Sequence, residues 1–236
     1  MKKIFKLITL ITTVALITSG INAQEVVELK MPRSNKVVIK LMFRNGSICD
    51  PKGKEGLTSL TTDLLVDGGS QTMTKAQIQD KIYPWAADMS SSTDKEVSIL
   101  TYQVPAQYLD EFYAIIKDMV INPGFRAEDF ERIKSNQKNY VDEVIRQSSD
   151  EEYSKKALED FLFRGTPYQH MVSGTSPGVA SITLPDVKIH FSKYFSAANL
   201  TIGLAGNYPD AFVQKIKADM QKMKGNPAAM IPNAPA

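Results

Sequence analysis

The stretch Glu55-Gly56-Leu57-Thr58-Ser59-Leu60-Thr61-Thr62-Asp63-Leu64-Leu65 decides how the rest of the chain is interpreted. Its leucines recur three and four residues apart, which places Leu57, Leu60 and Leu64 on one face of a helix. The pair Gly68-Gly69 then ends the periodic pattern, as glycine commonly does after a helix. The sequence therefore predicts a helix that begins near Gly56 and buries its leucine face.

Strand patterns lie on both sides of this helix. Residues 37–43 carry apolar side chains at every second position, and two further strands are predicted at 85–92 and 96–104. Between the helix and these strands, Thr74 and Gln77 have the spacing of a capping box, which predicts a second, short helix.

The remainder of the chain is predicted to be mainly helical. Helices are predicted from Pro105 to the Asn122-Pro123-Gly124 stop and over residues 127–147, 153–163, 185–195 and 210–224, with one strand near 200–204. Strands interspersed with paired helices, without a β-α-β rhythm, are typical of an α+β domain. We therefore expect a mostly antiparallel sheet covered by helices.

The N-terminus has the pattern of an export signal. Lys2, Lys3 and Lys6 precede an apolar run over residues 7–17, and Ile21-Asn22-Ala23 ends in a small residue suited to cleavage. The predicted organisation is a signal peptide at 1–23, one domain at 24–224, and a linker or disordered tail at 225–236. The mature protein is expected in the periplasm or the extracellular space, and an uncleaved membrane anchor is the alternative.

Charge and cysteine content argue against a nucleic-acid-binding protein and against a disulfide-stabilised one. Removal of the signal peptide removes three lysines, so the formal charge moves from +2 to −1 and leaves no basic field for nucleic acid. Cys49 is the single cysteine, so no internal disulfide can form.

The opening stretch resembles the zinc helix of the pitrilysin/insulinase-type metallopeptidases, which share the mitochondrial-processing-peptidase fold. That family opens a helix with Gly-Leu-Ala-His-Leu-x-Glu-His, an inverted H-x-x-E-H. On this frame Ser59 stands at the first His ligand, Thr62 at the catalytic Glu and Asp63 at the second His.

Further landmarks follow in the family's order. They are Gly46 after the first strand, Gly68-Gly69, the small residues of 85–96, Asn122-Pro123-Gly124-Phe125, Phe130-Glu131-Arg132-Ile133-Lys134, Gly165-Thr166-Pro167-Tyr168 and Ala205-Gly206-Asn207. No single landmark is specific for the family, but the occurrence of all of them in the family's order is. The resemblance implies one domain of that family, with a degenerate zinc motif.

The chemistry of the family is missing from this motif. An inverted zinc helix needs two imidazoles on one face and a carboxylate that activates water. The chain has two histidines, His170 and His190, and neither lies in such a motif. Serine and threonine hydroxyls cannot replace a general base near neutral pH. We expect no catalytic residue, no cofactor in this chain although the family uses zinc, and no activity of the chain on its own.

The third ligand position remains open. The family's Glu ligand lies on the 127–147 helix, and its spacing from Asp63 reaches Asn139, with Asp142 and Glu143 nearby. Asp63 and Glu143, with His170, form a weak candidate metal set; the alternative is that these are ordinary solvated or packing side chains.

Three functions compete. The first is a non-catalytic unit that binds peptide or completes a proteolytic chamber with an active subunit or second domain of the same family, in which case a dimer is expected. The second is part of an active zinc endopeptidase whose ligands lie in another segment or chain. The third is an unrelated exported α+β binding protein, in which the Gly56 helix would not pack on the 127–147 helix.

The candidate peptide-binding site is an exposed sheet edge near 85–92. Small side chains there would allow a peptide backbone to approach and add as a strand. The candidate residues are Trp85, Ala86, Ala87, Asp88, Met89, Ser90 and Ser91. A close-packed strand and turn is an equally good interpretation of the same residues.

Overall fold

Five strands and eight α-helices make up the part of the chain that the computed structural model describes, residues 25–144 and 150–223. In chain order they are β1 (Glu25–Lys30), β2 (Lys36–Phe43), α1 (Leu57–Asp67), α2 (Lys75–Ile82), β3 (Asp88–Thr93), β4 (Ser98–Pro105), α3 (Leu109–Ile121), α4 (Ala127–Asn139), α5 (Asp150–Leu162), α6 (Ser176–Ser181), α7 (Leu184–Tyr194), β5 (Leu200–Gly206) and α8 (Asp210–Met220). The predicted signal peptide and tail, and the 145–147 end of a predicted helix, lie outside the described residues.

All five strands form one sheet in the order β1-β5-β2-β4-β3. The pairs β5–β2, β2–β4 and β4–β3 are antiparallel, and only the β1–β5 pair is parallel among the described strands. The prediction of an α+β domain with a mostly antiparallel sheet is therefore confirmed. Strand β1 was not predicted, because its partner lies at the other end of the sequence.

Helices cover one face of this sheet, which we call the covered face. Val37, Ile39 and Leu41 of β2 point to it, as do Ile202 and Leu204 of β5, and all five are at most 2% exposed. Aromatic and aliphatic side chains of α3 and α8 complete the same core, among them Phe112, Ile116, Phe212 and Ile216. The alternate side chains of the strands point to the opposite face, which we call the open face.

A second, smaller core fixes the motif helix. Leu57, Leu60 and Leu64 of α1 pack with Phe130 and Ile133 of α4, and all are at most 5% exposed. This is the packing that the family resemblance implies and that an unrelated fold would lack. Within the described ranges, no helix combines the length and apolarity needed to cross a membrane.

Several predicted boundaries need correction. The strand predicted near 85–92 begins at Asp88, because Trp85 lies in a 3-10 turn and Ala86 has a positive φ of 48°. Pro105 ends β4 instead of starting a helix, since its ψ of 138° is extended. The predicted 127–147 helix is α-helical to Asn139 and continues as a π-helical segment, Tyr140–Val144.

Candidate functional site

Helix α1 lies on the covered face beside β3, a strand at the edge of the sheet. Its first residue follows Gly56, whose φ of 99° favours glycine. A Cβ at Gly56 would lie 2.7 Å from Nε2 of Gln137 and 2.8 Å from the carbonyl oxygen of Ser173. Glycine is therefore needed at this position both for the backbone angle and for the close approach of two other segments.

The residues at the first two motif positions make no arrangement that could activate water. Ser59 is half-buried, and Thr62 is fully buried. The Thr62 hydroxyl donates to the carbonyl oxygen of Thr58 at 2.7 Å and lies 3.1 Å from Oγ of Ser98. A hydroxyl that is held by the helix backbone and by β4 has a structural role, and it cannot act as a base near neutral pH.

Asp63, at the second His position, connects α1 to the edge strand. Its Oδ1 accepts a hydrogen bond of 2.7 Å from the hydroxyl of Ser91 on β3. The pKa of the Asp63 carboxyl is raised above its ordinary value. Burial is the largest cause and the charge of Asp67 adds to it, while the hydrogen bond from Ser91 opposes the rise. The carboxylate thus joins the helix to the strand at the place where the family would bind metal.

The residues considered for the third ligand position lie at the end of α4 and on the π-helical segment that follows it. Asn139 ends α4, and Asp142 and Glu143 follow it on this segment, a kind of helix distortion that is frequent at functional sites. Asp142 forms an ion pair with Lys138, and Glu143 is exposed. Within the described part of the chain, no group of three or more His, Cys, Asp or Glu could hold a metal ion.

The donor set therefore does not fit the zinc of the family. Asp63 is bound to Ser91, and His170 is bound to Asp50, so these two members of the candidate metal set have other partners. Neither hydroxyl at the motif positions is a good zinc ligand. We derive no step through a metal for this chain.

Sequence reasoning missed the most highly connected side chain of this region, the Asp50 carboxylate. It accepts hydrogen bonds from the backbone N–H groups of Gly56 and Thr58, both at 2.7 Å, and from the Thr58 hydroxyl at 2.6 Å. Nε2 of His170 lies 3.2 Å away, and the Asp50 side chain is 0% exposed. Asp50 thus satisfies the first N–H groups of α1, which the glycine at the N-cap cannot do.

His190 extends this hydrogen-bonded group into the protein. Its Nε2 lies 3.0 Å from the Thr58 hydroxyl. Burial lowers the pKa of His190 to about 4, although the Asp50 carboxylate opposes the shift. The Thr58 hydroxyl donates its one hydrogen to Asp50, so it accepts from His190, whose Nε2 carries the hydrogen of that bond. We call His170, Asp50, Thr58 and His190 the polar relay.

The relay gives both histidines structural positions. His190 is 3% exposed, and His170 lies 3.2 Å from the Asp50 carboxylate. The dipeptide Asp50-Pro51 has only the pattern of a loop, so the sequence gives no indication of the partners of Asp50. Its side chain reaches residues six and eight positions later, which is outside the usual capping spacing.

A cleft of about 1050 Å³ adjoins the relay. Described residues that line it include the acids Asp50, Glu55 and Asp160 and the bases Lys52, Lys156 and His170. Burial would raise the pKa of Glu55, but hydrogen bonds and the charge of His170 outweigh it and lower that pKa. Charges of both signs line the cleft, so its lining does not indicate one class of ligand.

The predicted peptide-binding residues divide into two groups. Asp88, Met89, Ser90 and Ser91 lie on β3, whose second edge is unpaired among the described strands. Trp85, Ala86 and Ala87 lie in the turn before it. The Trp85 ring stacks on Tyr108 with centroids 5.6 Å apart. The edge strand and the turn are therefore adjacent, but only the strand offers its backbone to an added strand.

Comparison with known proteins identifies relatives by sequence. The sequence model of the insulinase family, peptidase family M16, matches residues 25–176. A Helicobacter pylori protein named "Non-peptidase homolog YmxG" is 26% identical over 215 residues, which are 88% of this chain and 49% of that protein. An "Uncharacterized zinc protease" from Rickettsia bellii is 22% identical over 187 residues, 79% of this chain and 44% of that protein.

Solved structures share the fold of this chain. The peptidase M16 inactive domain from Pseudomonas fluorescens has a TM-score of 0.82 at 22% identity, and the match covers 92% of this chain and 53% of that one. The chain thus spans about half the length of the curated relatives and of the structure that it matches.

Proposed function

The chain belongs to the insulinase family of peptidases, peptidase family M16, and from that membership we propose that it binds extended peptide and completes a proteolytic chamber with an active partner of the same family. It is a non-catalytic domain, because its zinc motif reads Ser59, Thr62 and Asp63 in place of His, Glu and His. The observation that carries the proposal is the hydrogen bond between Asp63 and Ser91, which connects the motif helix to the edge strand at the position of the family's second His.

Peptide binding is supported by the geometry of β3. The strand pairs with β4 on one side only among the described strands, so a row of N–H and C=O groups faces outward. An extended peptide that adds to this edge gains main-chain hydrogen bonds without any catalytic chemistry. The exposed side chains Ser90 and Ser92 are small and leave room for the incoming backbone.

The partner and the location complete the proposal. An active partner with an intact H-x-x-E-H is proposed because the motif helix of this chain lacks the histidine ligands and the glutamate of the family. Export is supported by the Lys2, Lys3 and Lys6 start and the apolar run that follows. The protein would then act in the periplasm or outside the cell.

Hydrogen–deuterium exchange tests peptide binding directly. The mature chain is measured with and without oxidised insulin B chain, an extended peptide probe. Exchange of the β3 amides should slow in the presence of the peptide, because strand addition satisfies their hydrogen bonds. The amides of α8, a helix of the covered face, serve as the internal control. Unchanged exchange in β3, or protection confined to another element, would refute peptide binding at this edge.

Metal analysis separates this function from a working zinc endopeptidase. The purified mature chain is expected to carry no stoichiometric zinc by elemental analysis and to cleave no peptide with or without a chelator, because its donor set does not fit zinc. One tightly held zinc per chain would reverse this conclusion. The variants Asp63→Ala, Glu143→Ala and His170→Ala would then identify the ligands.

A further inference from the structure

Helix α5 is turned so that its polar side faces the protein. A helix at the surface of a globular protein normally places its apolar side on the core and its charged side in water. No described side chain of α5 is buried, and the two that are half-buried, Lys156 and Glu159, are charged. The apolar side of this helix is therefore not used by the part of the chain that the structure describes.

Ion pairs and the cleft occupy the inner side of α5. Nζ of Lys156 lies 3.2 Å from Oε1 of Glu159, and Oε2 of Glu159 lies 3.9 Å from Nζ of Lys95 in the turn between β3 and β4. Tyr153, Lys156 and Asp160 line the cleft that adjoins the polar relay. These contacts fix which side of α5 faces the protein, and the opposite side faces outward.

Three large apolar side chains lie on the outward side. Leu158, Phe161 and Leu162 are three and four positions apart, so they are neighbours on one side of the helix. Leu158 is 56%, Phe161 is 65% and Leu162 is 63% exposed. Single exposed apolar residues are common, but a contiguous group of them marks an interaction site. We call these three residues the outer cluster.

Charges at the two ends of α5 indicate what covers the outer cluster. Glu151, two turns before Leu158, lies on the same side of the helix. Its side chain is 77% exposed and pairs with Lys155 at 2.8 Å. Arg164 follows the last turn, and its guanidinium carbon lies 5.5 Å from the centroid of the Phe161 ring. The helix thus has an acid near its start and a base after its end, whereas a helix that lies on lipid is rich in Lys and Arg.

This order of charges is complementary to itself when two copies run antiparallel. A two-fold axis beside Leu158 places Glu151 of one copy near Arg164 of the other, and Lys155 near Phe161 of the other. The Lys155 stem can then cover the ring while its ammonium group makes a cation–π contact. Because such an interface is isologous, each contact occurs twice. A parallel pair would instead bring like charges together at both ends of the helix.

We propose that α5 is the interface of a homodimer, in which the outer cluster of each copy packs on α5 of the other copy in antiparallel orientation. Helix α5 has 13 residues and is about 20 Å long. Two helices of this length bury less area than a permanent dimer needs, so the dimer should be reversible. The inference goes beyond the proposed function, since it requires neither the peptide nor the active partner and uses a different element from β3.

Sedimentation equilibrium of the purified mature chain alone tests the dimer. Wild type should show a reversible equilibrium between monomer and dimer. Leu158→Lys should raise the dissociation constant about tenfold or more, because an apolar anchor at the centre of the interface is replaced by a charge. Ile189→Lys is the matched control, since Ile189 is 65% exposed on α7 and lies outside the outer cluster, and it should leave the dissociation constant unchanged.

A charge exchange tests the antiparallel arrangement. Glu151→Arg and Arg164→Glu should each weaken the dimer by roughly threefold to tenfold, because two pairs of opposite charges become pairs of like charges. The double variant should restore wild-type affinity, since its charges are exchanged but still opposite. Both changes oppose the helix dipole, so a loss that came from a weaker helix would be largest in the double variant. Restoration therefore reports contact between copies.

Three results would overturn the homodimer. The first is a chain that stays monomeric at every concentration. The second is a dimer that Leu158→Lys leaves unchanged, or one that the double charge variant does not restore. The third is a monomeric chain that binds vesicles of phosphatidylcholine and phosphatidylglycerol and loses that binding in Leu158→Lys, because lipid would then cover the outer cluster. Thermal melting of each variant, expected to match wild type, checks that the fold is kept.

Discussion

Thr58 has one hydroxyl hydrogen and three polar neighbours, and this fixes how the polar relay is connected. The Asp50 carboxylate is nearest at 2.6 Å, followed by Nε2 of His190 at 3.0 Å and the carbonyl oxygen of Gly46 at 3.2 Å. A charged acceptor makes the strongest hydrogen bond, so the hydroxyl donates to Asp50. Each member of the relay therefore depends on its neighbours, and removal of one leaves buried polar groups without partners.

Asp50 should be the residue of this group that is most sensitive to substitution. Asp50→Ala removes the acceptor of two backbone N–H groups at the start of α1 and should lower the free energy of unfolding by roughly 2 to 4 kcal/mol. Asp50→Asn keeps one acceptor oxygen and should lose less. Urea denaturation of the three proteins measures the difference, and a loss below about 0.5 kcal/mol for Asp50→Ala would contradict the assigned role.

His190 should make stability depend on pH in one direction. Its pKa is lowered from 6.5 to about 4 by burial, so the unfolded chain binds its proton more readily than the folded protein. The stability that comes from the neutral ring is complete above pH 6.5 and is lost as the pH falls toward 4. Between pH 7 and pH 5 the expected loss from this group is about 2 kcal/mol.

The variant His190→Gln isolates this contribution. Its amide can still donate to Thr58, but it does not titrate, and both proteins share the carboxyl groups whose pKa values are lowered, such as Asp186 and Asp219. The stability difference between wild type and variant, measured by urea denaturation at pH 7 and pH 5, should therefore change by the amount expected for His190. Parallel pH profiles would show that His190 is not the group responsible.

At the scale of elements, α1 and β3 are connected by one side-chain hydrogen bond, between Asp63 and Ser91. Ser91→Ala should cost about 1 kcal/mol of stability and should speed amide exchange in β3. Ser90→Ala is the matched control, because Ser90 is exposed on the neighbouring position of the same strand and should change stability by less than about 0.5 kcal/mol. Equal effects of the two variants would mean that the contact to Asp63 does not hold the strand.

Elements defined by local signals were predicted well, and those defined by distant contacts were not. The capping box at Thr74 and Gln77 is present, with Thr74 accepting from the Gln77 N–H at 3.3 Å, because both partners lie within one turn. The π-helical segment 140–144 was missed, since a change in helix register leaves the apolar period almost intact. The turn at Trp85 was missed because its ring packs on Tyr108, which lies beyond the next two strands.

The same difference between local signals and distant contacts holds for the whole molecule. The order of landmarks from Gly46 to Gly206 identified the family and hence the covered sheet, although no landmark was specific alone. The candidate site was predicted only in part: the motif positions were placed on α1, but their connection to β3 and the relay through Asp50 required the folded chain. The hydrogen bond between His170 and Asp50 spans 120 positions, a separation for which one sequence holds no signal.

The position of β5 determines when this sheet can form during synthesis. Strand β5 is the last of the described strands but lies between β1, which is the first of them, and β2. As residues leave the ribosome, β2, β4 and β3 can pair with one another, whereas β1 has no neighbour until residue 206 has emerged. Such non-local pairing delays folding. The nascent chain therefore remains incompletely folded until translation has passed β5, and during that interval it is open to chaperones and to the translocation machinery that the predicted signal peptide would engage.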